Sequence, residues 1–512
     1  MCAIGDSLTA GMQDACLDAR SAHMSYTAQL ARQAGIPYHQ PEVNKHGIPP
    51  RLFIGNEVDI PRTLFEYATL ALVTASPLFF THLLGRVPGA MLHPIYDAPG
   101  MGHRTKESRD SEKNPQHNFA IPGYELRHFA DVGHVSDYLH EIHNHVSRDG
   151  FMPVLTPLIH SIIQNGKDKR LGSELDQVVK RNPDLVVLWG GNNDALEPIT
   201  GGVVDDVKLT PMDDKKWSYW DKNPLTGKWH LNQTKTVQKG FRRSFNELIE
   251  RLEKDTKAEV LVCTVPDVSV IPFLKKVGEP LGPLPFRVKL PNGEDVTPMI
   301  EKLRIPDGVK GAGKNGRTSY PAGTLVGITT VLKKIVSILG SEPKNSGDLQ
   351  AALNAMNEPA VFEENDVLDP DEIGQIRGRL GEYNDLIRQT AATHPRVHLV
   401  DTHELLQQAQ AGGIPLVGTG DPVTVNNSYT GLGGFFSFDG IHPSDVGYSV
   451  VSNALLRTIQ SELVPKDDRF KFFANVTPVD ERAVYRQDPH VTGRDEASFV
   501  LCKPAVELLN TP

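Results

Sequence analysis

The chain has 512 residues, 39% of them hydrophobic and 23% charged, which is an ordinary globular composition with enough apolar residues for a large buried core. With 63 acidic against 53 basic residues the formal net charge is -10, which argues against nucleic acid as the main partner, because phosphate binding needs a clustered excess of Lys and Arg. The four cysteines, Cys2, Cys16, Cys263 and Cys502, are too widely spaced for a zinc site or a disulfide scaffold and are expected to be free thiols.

The chain opens on a short apolar run, "CAI", read as the stub of a buried strand, followed by "GDSLTAG". No signal peptide precedes this first motif, so the compartment stays open: the protein stays inside, or the chain begins downstream of its natural start. Ser25 to Gly35, "SYTAQLARQAG", has a capping serine, amphipathic spacing and a terminal glycine, the pattern of a helix. Apolar strands are predicted again at Asp184 to Gly191, Glu259 to Asp267 and Val397 to His403, with helical patterns between them. Near-continuous Val and Leu runs alternating with helices imply a parallel sheet buried on both faces.

Two long stretches break this rhythm: Gln40 to Gln116, and the Pro- and Gly-rich Lys275 to about Asn345. Both read as insertions into one domain spanning residues 1–465. Lys466 to Pro512 is polar and reads as an appendage that wraps the surface or stays partly disordered.

Four short segments carry chemistry. Ser7 follows a strand and starts a helix, where its backbone N–H and the helix dipole can stabilise an oxyanion, although serine is also a favoured helix cap. "NFAIPG" places Gly123 after a strand-like run, where a bare backbone N–H can approach a substrate oxygen. "WGGNNDAL" ends the strongest apolar strand, so Asn193 stands at a carboxyl end, where ligands bind in open α/β sheets. In "FSFDGIHPSDVGY" Asp439 and His442 are three residues apart, an acid to fix an imidazole and an imidazole to take a hydroxyl proton.

Taken together, "GDSL" at Gly5 to Leu8, "NFAIPG" ending at Gly123, "GNND" at Gly191 to Asp194 and "DGIH" at Asp439 to His442 resemble the four blocks of the SGNH, or GDSL, hydrolases, in that family's order. The resemblance covers Met1 to about Val464. It implies a flavodoxin-like three-layer α/β/α sandwich with a mostly parallel central sheet and long insertions, and carboxylic ester hydrolysis of the lipase or esterase type without metal or cofactor. It further implies Ser7 as nucleophile, His442 as base and then acid, and Asp439 as the group that orients His442. The oxyanion hole would be formed by the N–H groups of Ser7 and Gly123 and the side chain of Asn193. Asp6 and Asp194 would fix the surrounding loops. The separation of Ser7 from Gly123 is longer than the family usually shows.

Other signals carry less. "GVKGAGKN" from Gly308 ends in Asn where a phosphate-binding loop needs Ser or Thr, and reads as a loop. The histidines at 134, 140, 143 and 145 include "HEIHN", in which Asn144 occupies the place of a second zinc ligand, so polar helix surface is the reading. Tyr67 to Leu84 is an apolar stretch without Asp, Glu, Lys or Arg, expected as a cap over the site; a membrane span and an interfacial anchor stay open. Small-molecule or lipid esters are the expected substrates. Deacetylation of carbohydrates is the alternative, and a non-catalytic binding protein on the same fold the third reading.

Overall fold

The computed structural model describes residues 1–41, 116–133, 172–206, 208–222, 229–290, 292–310, 316–339, 344–355, 362–493 and 498–500. Tyr67 to Leu84, the four histidines from 134 to 145 and Cys502 lie outside the described residues, as do residues 311–315 of the glycine-rich loop.

Four strands, β1 (Cys2–Gly5), β2 (Leu185–Trp189), β3 (Glu259–Cys263) and β4 (Val397–Val400), form a sheet in that spatial order, and every pair is parallel. On the free edge of β1 the chain at 117–121 runs alongside. Ala3 N–H donates to the His117 carbonyl at 2.8 Å, and the N–H groups of Phe119 and Ile121 donate to the carbonyls of Ala3 at 3.0 Å and Gly5 at 3.1 Å. The second segment in sequence therefore lies outside the first, which makes β1 an interior strand and puts the turn after Ile121 beside the end of β1.

Alternation along each strand divides the core between two faces, as a strand's period of two requires. Ile4, Val186, Leu188, Val260 and Val262 point to one side, and Ala3, Val187, Trp189, Leu261 and Cys263 to the other. The first side is covered by α3 (Glu174–Arg181), α5 (Phe241–Asp255) and α6 (Pro370–Thr393), which supply Leu175, Phe245 and Leu380. The second is covered by α2 (Tyr26–Gln33) and α7 (Asp445–Thr458), which supply Tyr26, Leu30, Tyr448 and Leu455. The protein is thus an α/β three-layer sandwich on a parallel sheet. The helix read at Ser25 to Gly35 is α2, with Ser25 as its cap accepting from the Ala28 N–H at 3.3 Å.

Two segments outside the central sheet also bury side chains. Residues 274–339 contribute Val288, Ile300, Val326 and Ile335 to the main core. The segment after Lys466, polar in composition, buries Phe470 and Phe473 and also Asp488 and His490, because the two polar groups find partners in the domain. Cys2 and Cys263 are buried free thiols, Cys16 is buried as well, and no helix among the described residues is long and apolar enough to cross a membrane.

Candidate active site

β1 ends at Gly5, whose lack of a side chain is enforced by crowding: a Cβ there would lie 2.7 Å from the Trp189 carbonyl. The chain then turns into a four-residue helix, α1 (Ser7–Ala10). Its cap is Asp6, not Ser7: Asp6 Oδ1 accepts from the Leu8 N–H at 3.0 Å, and Asp6 Oδ2 accepts from Asn192 Nδ2 at 2.8 Å. Ser7 is left as the first helical residue, with an N–H that has no partner within the helix. Its hydroxyl is free of capping work. Burial pushes the Asp6 carboxyl up to about 6, against the hydrogen bonds from Asn192 and Leu8 and the nearby His442 charge.

Asn192 and Asn193 begin α4 (Asn192–Gly201) at the end of β2. Gly191 before them has φ +98, and a Cβ there would fall 2.8 Å from Phe241 and Val265, so only glycine fits this turn. Asn193 Nδ2 donates to the Tyr124 carbonyl at 2.8 Å, which spends one of the amide's two hydrogens and ties the end of β2 to the turn holding Gly123. Gly123 itself has φ +84. Asp194 Oδ2 accepts from the Leu126 N–H at 2.9 Å and joins the same two segments.

Asp194 is completely buried, and that burial, with the charge of Glu125, pushes its carboxyl up to about 7 from 3.8. A pKa raised in the folded state means that folding takes up a proton, so this stabilising contribution is whole below about pH 3.8 and lost as pH rises through about 7. Asp194→Asn keeps an oxygen for Leu126 and cannot ionise. It is expected to reduce the fall in Tm between pH 4 and 7 by several degrees, measured by calorimetry beside the wild type; an unchanged slope would contradict it.

The far end of the chain brings the other two groups. His442 Nδ1 and Asp439 Oδ2 are 2.7 Å apart. Asp439 Oδ2 also accepts from the Ala15 N–H at 2.6 Å, and Oδ1 accepts from the N–H groups of Ile441 at 2.8 Å and His442 at 2.9 Å and from Ser437 Oγ at 3.1 Å. Burial would raise this carboxyl, but the His442 charge and these hydrogen bonds outweigh it and hold it down to about 2. An ionised Asp439 can only accept, so the Nδ1 of His442 carries the proton and Nε2 keeps its lone pair when the ring is neutral.

Ser7, Asn192 and Asn193 line one open cleft together with Ile441 and Pro443, the residues on either side of His442. No hydrogen bond joins the Ser7 hydroxyl to His442 among the described residues, a looseness common before substrate binds. Apart from Thr402, the rest of the lining is apolar and comes from separate segments, including Leu8, Trp189, Ile271, Leu405 and Phe435. Four blocks that are far apart in sequence therefore meet at the carboxyl ends of β1 and β2 and the loop before α7. The arrangement offers a hydroxyl, an oriented imidazole and an amide donor beside an apolar cleft, the groups that acyl transfer requires.

Three contributors escaped the reading of the sequence. Asn192 lies inside the "GNND" block, and its bond to Asp6 was hidden behind its neighbour. The Ala15 N–H and the apolar wall carry no residue-type signal at all, since a backbone amide and a leucine look the same everywhere.

Against known proteins, the family model described as GDSL-like Lipase/Acylhydrolase matches residues 1–455. Searches of curated proteins and of solved structures returned no match.

Proposed function

From the premise that the chain belongs to the GDSL-like lipase/acylhydrolase family, and so is an ester-type hydrolase, we propose that it cleaves carboxylic esters of apolar acyl groups through an acyl-serine intermediate. Ser7 Oγ attacks the ester carbonyl carbon while His442 Nε2 takes its proton. The tetrahedral oxyanion is held by the N–H groups of Ser7 and Gly123 and by the second hydrogen of the Asn193 amide. The proton then passes from His442 to the leaving alkoxide, which departs as the alcohol. Water, deprotonated by the same imidazole, releases the acid and restores Ser7. Asp439 keeps His442 in the right tautomer, and Asp6 and Asp194 hold the loops that carry Ser7 and Asn193.

The observation that carries the acyl preference is the cavity wall. Among the described residues its polar members are Ser7, Asn192, Asn193 and Thr402, and no acidic side chain lines it. A sugar would need polar partners for its hydroxyls, whereas an acyl chain gains about 0.8 kcal/mol per buried methylene. A panel of p-nitrophenyl esters from acetate to palmitate, beside an acetylated oligosaccharide, tests this. Rising kcat/KM with chain length is the expected result. Cleavage of the acetylated sugar with a preference for acetate would favour the deacetylase reading. Inactivity on every ester in folded protein would favour a binding role.

Asn193→Ala should lower kcat by roughly 100- to 1000-fold with little change in KM, because the lost donor acts on the charge that develops in the transition state. Steady-state kinetics on one short ester checks it. A normal kcat in folded protein would remove Asn193 from the oxyanion hole.

A further inference from the structure

Beside the segment that carries Asp439 lies a second buried histidine between two carboxylates. His490 Nδ1 is 2.7 Å from Asp488 Oδ1, and His490 Nε2 is 2.9 Å from Asp14 Oδ1. All three side chains are buried, and the rings of His490 and Phe438 meet edge to face with centroids 4.6 Å apart. With a carboxylate on each nitrogen the ring can satisfy both only as the cation, one positive charge shared by two negative ones.

Each carboxylate is also built into the site. Asp488 Oδ2 accepts from the Val446 N–H at 3.0 Å, in the first turn of the helix that follows the His442 loop. Asp14 Oδ1 accepts from the Phe438 N–H at 2.9 Å, and the Asp14 N–H donates to Ser437 Oγ at 3.1 Å. Phe438 and Ser437 immediately precede Asp439. Asp14 and Ala15 both stand at positive φ, 55° and 54°, a conformation that non-glycine residues keep only when their surroundings impose it. That turn aims the Ala15 N–H at Asp439 Oδ2.

We propose that His490 is a positioning residue for hydrolysis: by clamping Asp14 to Asp488 it holds the Asp14–Ala15 turn, and through the Ala15 N–H it holds Asp439 in line with His442. The segment after Lys466 is then part of the machinery of the site. This rests on the reading of Ser7, His442 and Asp439 given above. The charged groups that face the clamp are Asp14 and Asp488 directly, with Asp445 and its partner Arg20 beyond them. The two direct carboxylates outweigh burial and raise the His490 imidazole to about 10, so the clamp stays charged through neutral pH.

The test is the rate at which a fluorophosphonate labels Ser7 in the full chain, which reads the competence of the serine and imidazole without assuming a substrate. An unlabelled wild type would overturn the underlying reading, not this one. With a labelled wild type, two replacements separate the arms of the clamp. His490→Gln reaches as Nε2 does, toward Asp14, and His490→Asn reaches as Nδ1 does, toward Asp488. The expected result is a labelling rate cut by about tenfold or more in the Asn variant and by much less in the Gln variant, in protein whose circular dichroism matches wild type. Equal rates in both variants, whether normal or reduced alike, would overturn the proposal. Should the Asn variant not fold, wild-type labelling followed from pH 8 to 11, corrected for hydrolysis of the probe, decides instead. A reversible fall as the clamp loses its proton is expected, and a flat or rising rate would overturn it.

Discussion

Ser7→Ala should abolish ester hydrolysis, with kcat falling by roughly 10⁶-fold, while the protein folds as before. Stability should barely change because the hydroxyl caps nothing: Asp6 holds the helix start, and the Ser7 side chain takes part in no hydrogen bond among the described residues. The chemistry, in contrast, needs that oxygen for the bond to the acyl carbon, and no other serine or cysteine lines the cavity among those residues. Kinetics on a short p-nitrophenyl ester together with fluorophosphonate labelling measures both aspects. Labelling at a residue other than Ser7, or turnover surviving the substitution in purified protein, would end the assignment of the nucleophile.

Asp439→Asn should be nearly as severe, with a loss in kcat of about 10⁴-fold at neutral pH and an almost unchanged fold. The reason lies in the donors around the carboxyl group. One oxygen accepts from the N–H groups of Ile441 and His442, so an asparagine is forced to put its carbonyl there and to turn its NH₂ toward His442 Nδ1. That nitrogen must then accept instead of donate. The ring proton moves to Nε2, and the base that should take the serine proton already carries one. The NH₂ would also face the Ala15 N–H, donor against donor, at a position where the native distance is 2.6 Å. A pH–rate profile beside that of the wild type checks the account, and part of the loss should be recovered at high pH, where hydroxide can replace the base. A variant with normal kcat at neutral pH would show that His442 needs no orienting carboxylate.

Much of the fold was legible because it is written in local patterns. Strands at Leu185–Trp189 and Glu259–Cys263 are runs of Val and Leu that can be satisfied only with both faces covered, and the helix at Tyr26–Gln33 carries its own serine cap. The family was legible for a related reason: its blocks are short runs of residue types in a fixed order, and the family model matches residues 1–455. Less visible was the question posed by Ser7 itself, since a serine at the start of a helix has the same signature whether it caps or not. The structure decides it through the neighbour, because Asp6 takes the Leu8 N–H and Ser7 falls one position inside.

What the sequence by itself determined about this protein is therefore its layered α/β architecture, its family and the four blocks that hold Ser7, Gly123, Asn193, Asp439 and His442. Only the tertiary structure decided what surrounds them. The apolar cavity draws its wall from residues as distant as Leu8, Ile271, Leu405 and Phe435, and nothing in a leucine's own neighbourhood in sequence says that it will face a cleft instead of a core. The same holds for His490, which lies in a polar segment with no motif around it and yet sits at 2.9 Å from Asp14, 476 positions earlier. Local pattern reports what a residue does for its own helix or strand. A buried ion pair or a cavity wall is a relation between segments, and it exists only once the chain has closed on itself.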